Sequence, residues 1–175
     1  MRRFKTTRRF ASGTRKRAVW VNIPWGTLNL SETASRQLLL VPEDWEASFT
    51  GLTNERAVLR AVVGEISIVQ TTAGTNGGTF FWGLYMAGID KATPVFTTTG
   101  MSDVSWLLTG ARSTTSTAAT VATNFSKLYN EQVHVKAKRK LDTNTQISFV
   151  GQFGADAASP AGFAGGILRF LVARD

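Results

Sequence analysis

The chain has no cysteine, so a disulfide framework and a thiolate metal site are both excluded, and its stability must come from packing or from association between copies. It has one histidine, His134, and no Gly-x-Ser-x-Gly or comparable nucleophile context. His134 would need a nucleophile and an orienting acid beside it to work as a catalytic base, so it reads as a polar-face strand residue. Long apolar runs are missing too. The stretch from Ala18 to Leu30 is interrupted by Asn22, Pro24, Gly26 and Asn29, which makes a poor signal-peptide core and too short a membrane span, so a soluble protein without membrane insertion is expected. No segment longer than about a dozen residues keeps a capped helical period. The first seventeen residues contain no Asp or Glu.

Against that last absence stand Arg2, Arg3, Lys5, Arg8, Arg9, Arg15, Lys16 and Arg17, eight cations that account for the whole formal charge of +8. Everything after them is electrically balanced. Such a segment has too few large apolar groups to offset the entropy of ordering, so residues 1–17 are expected to form a disordered basic arm with a polyanion as partner. Its cations are clustered and do not spread around an amphipathic helix, which suits phosphate contact or nuclear import; a mitochondrial targeting segment is the rival reading.

Residues 18–175 have the size of one domain with one core. They read almost entirely as strands: Val19 to Ile23, broken at Pro24 and resumed over Gly26 to Leu30; Arg36 to Val41; Ala57 to Val69, paired as a hairpin through the flexible tip Gly74 to Gly78 with Thr79 to Ile89; Glu131 to Lys140, paired as a second hairpin through Leu141 to Asn144 with Thr145 to Phe153; and Ile167 to Ala173 after a Gly/Ala loop from Gly154 to Gly166. Between Lys91 and Asn130 the pattern weakens to a long surface excursion around a short apolar segment, Val104 to Leu108. About eight strands with long excursions predict an all-β fold, a single eight-stranded antiparallel jelly-roll sandwich.

The other candidate sites are few. Gly74 to Gly78 lacks the Lys-Ser/Thr ending of a phosphate loop and precedes a strand, so it reads as a hairpin tip. Glu43, Asp44 and Glu46 are better explained as a solvated loop than as a Ca²⁺ site. No catalytic residue, metal site or cofactor is assigned. Lys136, Lys138, Arg139 and Lys140 form a second basic cluster, which either extends a nucleic-acid surface or guards a sheet edge against aggregation. Phe4, Phe10 and Trp20 interleave with the arm cations; their rings would stack on unpaired bases or pack under the domain.

The order of elements is informative beyond each piece. The basic amino terminus, Val58-Leu59-Arg60-Ala61-Val62-Val63-Gly64-Glu65-Ile66, the aromatic run Phe80 to Tyr85, the segment Asp103 to Leu107, the run Val133 to Leu141 and the ending Leu168-Arg169-Phe170-Leu171 together resemble the small capsid proteins of circular, Rep-encoding single-stranded DNA viruses, the circovirus-like group. The resemblance implies a jelly roll assembled with other copies of itself into a small icosahedral (T=1) shell, a virion protein whose arm lies inward on packaged single-stranded DNA. It also implies nuclear import through the arm, by host import machinery, and attachment to a cell-surface receptor through outward loops. About sixty arms would bring about 480 positive charges to the interior. The charge itself does not distinguish DNA from RNA, so the capsid of a small RNA or satellite virus stays open, as does a single-strand-binding or ribosomal β-barrel.

Overall fold

The computed structural model describes residues 18–46, 57–72, 79–88, 91–94, 96, 105–113, 127–155 and 159–174, the side chains of Glu46 and Lys127 apart. The arm, the Gly74 to Gly78 tip and the Ser/Thr/Ala stretch from 114 onward lie outside the described residues.

Eight strands and one short helix follow in order: β1 (Ala18–Leu30), β2 (Ser35–Leu40), α1 (Pro42–Glu46), β3 (Ala57–Thr72), β4 (Thr79–Gly88), β5 (Trp106–Ser113), β6 (Lys127–Leu141), β7 (Thr145–Phe153) and β8 (Ala161–Arg174). They form two four-stranded sheets, the first in the order β1-β8-β3-β6 and the second in the order β2-β7-β4-β5. All pairings are antiparallel, and β1 pairs with β8, β2 with β7, β3 with β6 and β4 with β5. The chain is thus one long nested hairpin rolled over so that its successive strand pairs alternate between two layers. Added pairings of β3 with β8 and of β4 with β7 complete the sheets. This is the jelly roll that the strand count predicts.

The two hairpins read from the sequence are not formed. β3 and β4 lie in different sheets, and so do β6 and β7. Among the described strands only β4 to β5 connects neighbours in one sheet. Alternating apolar residues fix which face of a strand is buried but not which strand lies beside it, and here long-range partners win. At the β6–β7 corner the Thr145 amide donates to the Asp142 carbonyl (2.9 Å), while Asp142 Oδ1 accepts from the Asn144 amide and the Thr145 hydroxyl. That compact turn carries the chain from one sheet to the other.

The core fills the space between the sheets. From the first sheet come Trp25, Leu59, Val62, Ile66, Ile68, Leu168 and Phe170; from the second come Phe80, Trp82, Leu84, Ile147, Phe149 and Phe153. β7 lies in the middle of its sheet and is buried along nearly its whole length: Ile147, Phe149 and Phe153 face the core, and Gln146 and Ser148, which alternate with them, are buried on the other face.

Three further expectations are corrected. Pro24 does not end β1: it sits on an edge strand, where its missing N–H breaks no essential ladder bond, and the irregularity comes one residue later as a bulge between Trp25 and Leu28. The last six residues of the Gly/Ala loop are strand, because β8 begins at Ala161, and its glycines admit the β3 backbone: a Cβ at Gly166 would run into the Glu65 carbonyl. Across the same strand pair Gly64 has φ +151°, and a Cβ there would meet the Ile167 carbonyl, so only glycine suits both the backbone and the space. Lastly, the excursion from Lys91 to Asn130 contains β5 and the first residues of β6, and its described residues ahead of β5 are packed. Phe96 lies on Trp106 (5.1 Å) and Phe81 (6.0 Å), Arg36 Nη1 donates to the Lys91 carbonyl (2.8 Å), and Arg36 Nε donates to the buried Ser148 hydroxyl (2.8 Å). Phe96 thereby packs on a small cluster of Tyr85, Ala87, Trp106 and Val150 on the outer face of the second sheet. Partial burial pulls the Arg36 guanidinium below its usual pKa, opposed by the coulombic effect of Tyr85.

Candidate nucleic-acid interface

The larger group of cations lies on the first sheet. Register fixes its rows. Ala18, Ala173, Val58 and Lys140 lie across the sheet in one row; Trp20, Leu171, Ala61 and Lys136 in the next; Asn22, Arg169, Val63 and His134 in a third. The chain enters the sheet at Ala18, directly after Arg15-Lys16-Arg17, so the arm is attached at the end of the sheet that holds Lys136 to Lys140, with about 14 Å between the outer strands.

That end is a basic pole. Its strand segments, residues 18–22, 57–63, 134–141 and 169–174, contain Arg60, Lys136, Lys138, Arg139, Lys140, Arg169 and Arg174 and no acidic residue. The other half, residues 23–30, 64–70, 127–133 and 161–168, contains Glu65 and Glu131 against Lys127. Of the acids that flank these segments in sequence, Glu55 and Asp175 lie outside the described residues, and Asp142 has one carboxylate oxygen engaged in the corner turn. Seven like charges at one end of one sheet make a field that attracts polyanions.

The four residues of the second cluster are all exposed, and β6 is an edge of the first sheet, as the edge reading requires. The ladder breaks between Leu59 and Ala61, where Arg139 and Lys136 are the partners, so β6 holds an additional residue in a bulge. A bulged lysine-rich edge is poorly suited to pairing with another sheet. His134 is exposed on the same strand face, as alternation predicts. Sequence reasoning missed Arg60, Arg169 and Arg174. No local pattern marks them: Arg60 joins the pole through the pairing of β3 with β6, and Arg169 and Arg174 join it because β8 lies between β1 and β3.

Of the acidic group Glu43, Asp44 and Glu46, the Glu46 side chain lies outside the described residues. Glu43 is exposed, and Asp44 Oδ2 accepts from the Val41 amide (2.9 Å) at the start of α1. Among the described residues no group of three or more His, Asp or Glu converges.

Away from the pole the first sheet's outer face is mixed: Ile167 and Leu128 are each 58% exposed and Phe163 37%, while between them Gln132 Nε2 donates to Glu65 Oε2 (3.1 Å) and Ser67 pairs with Asn130 (3.1 Å). Where the two sheets' edges meet, β5 lies against β6 and Arg112 Nε pairs with Glu131 Oε1 (2.7 Å).

The strand order defines the molecule as a jelly roll, an architecture used by viral capsid domains, lectins and cupins. No protein-family model and no curated protein matches the chain. Among solved structures it is similar to one of the empty head of turnip yellow mosaic virus, at 12% identity over 100% of this chain and 89% of that chain, with a TM-score of 0.39. A structure of infectious bursal disease virus, Gx strain, is 12% identical over 92% of this chain and 36% of that one, with a TM-score of 0.34.

Proposed function

We propose that the chain is a viral capsid protein: residues 18–175 form the wall of a small icosahedral shell, and residues 1–17 form an inward arm on packaged single-stranded nucleic acid, DNA by the resemblance. The observation that carries this reading is the attachment of the arm at the basic pole, which lets Arg2, Arg3, Lys5, Arg8, Arg9, Arg15, Lys16 and Arg17 act on the same polyanion as Lys136, Lys138, Arg139 and Lys140. The exposed Leu128, Phe163 and Ile167 on this face, beside edges blunted by a bulge and by Pro24, support association through faces rather than by strand addition. Binding through backbone phosphates needs no base-edge readout, so packaging is not sequence-specific. On this reading the arm also serves nuclear import, and outward loops serve attachment.

The test is expression of the full chain followed by size-exclusion chromatography and negative-stain microscopy. Uniform hollow particles containing nuclease-protected nucleic acid are expected, and digestion with DNase or RNase identifies its type. A stable monomer that binds oligonucleotides would overturn the shell. Replacing Lys136, Lys138, Arg139 and Lys140 with Gln removes four of the fifteen cations of arm and pole, and nucleic acid per subunit should fall by about a quarter. An unchanged absorbance ratio at 260 and 280 nm would leave this cluster with its edge role alone.

A further inference from the structure

The basic pole is not purely charged. Trp20 lies on its outer face, 43% exposed, whereas Trp25, Trp45, Trp82 and Trp106 are all buried. The Arg169 guanidinium is 5.3 Å from the Trp20 ring centroid, and Lys136 shares the Trp20 row. An indole left this open loses hydrophobic stabilisation that burial would give it. The surrounding charge argues against an acid-poor protein partner and favours a polyanion that also presents a flat apolar surface. Unpaired nucleobases do; bases in a duplex have both faces covered by their neighbours.

We propose that Trp20, braced by Arg169, is a stacking platform for an unpaired base, so that the pole selects single-stranded over duplex nucleic acid. The ring takes the base while Arg169 and Lys136 neutralise the flanking phosphates. This rests on the reading of the pole as a nucleic-acid surface, and the test separates the two.

The full chain is titrated with an oligothymidylate, with an abasic analogue of the same backbone and length, and with a duplex. Oligothymidylate should bind about five- to a hundredfold more tightly than the abasic strand and should quench the exposed indole, which the abasic strand should not. Trp20→Ala should bring the two affinities together by weakening only the first; Trp20→Phe, which keeps a ring, should retain part of the difference. Equal wild-type affinities, or a preference that survives in Trp20→Ala, would overturn the platform while leaving the pole intact. Failure of the abasic strand to bind wild type would overturn the pole itself.

Discussion

Phe149→Ala is expected to lower the unfolding free energy by about 3–5 kcal/mol, a large part of the roughly 5–15 kcal/mol that holds an ordinary domain together. Phe149 is fully buried at the centre of β7, and its ring lies 4.8 Å from Trp25 of the first sheet and 6.5 Å from Trp82 of its own. Truncation therefore opens a void at the place where the two layers touch, walled by rigid indoles that cannot collapse into it. Phe149→Leu keeps most of the volume and should cost less than about 1.5 kcal/mol. Ile167→Ala removes a side chain of similar apolar character that is 58% exposed, and should stay within about 0.5 kcal/mol. Urea unfolding at matched protein concentration, followed by tryptophan emission, reads all three, with concentration held fixed because assembly would itself raise apparent stability. A loss for Phe149→Ala no larger than for Ile167→Ala would mean that the sheets are not held together at this point.

The contrast between Phe149 and Ile167 also marks what could be read in advance. Alternation in Val58 to Ile68 and Val133 to Ala137 is a local property, and it gave the strands, the exposed lysine face and the all-β class correctly. Pairing is not local: Ala18 meets Ala173, and Val58 meets both Ala173 and Lys140. Short connections such as 141–144 look like hairpin turns whether the chain returns along the same sheet or crosses to the other, so both hairpins were misassigned. Glycines in 162–166 signalled a loop because their purpose, close approach of β3, appears only once that strand is in place. For the same reason the Lys136 to Lys140 run was legible as a cluster while Arg60, Arg169 and Arg174 were not: three single arginines became members of a pole through register alone. For Trp20 the sequence allows both stacking and packing, and its exposed position on the outer face of β1 keeps it out of the core.

Replacing the eight arm cations with Gln should produce the largest functional loss. Each single-strand phosphate neutralised contributes about 0.7 to the slope of log affinity against log salt, so eight contacts account for a slope of about 5 to 6. The variant should lose that much slope and, near 50 mM salt, about a thousandfold or more in affinity for oligothymidylate. It should not lose everything. The seven basic residues of the pole are held by the fold and not by the arm, and full engagement would leave a residual slope of up to about 5. Salt titrations of wild type, the arm variant and the Lys136, Lys138, Arg139 and Lys140 to Gln variant therefore separate the two charge groups. A slope unchanged by the arm variant would remove residues 1–17 from the phosphate contacts; a slope that falls to zero would remove the pole. Losses of slope of about 5 to 6 for the arm variant and about 3 for the four-residue variant are the expected result, because two groups joined at Ala18 and acting on one strand contribute through the number of phosphates each neutralises.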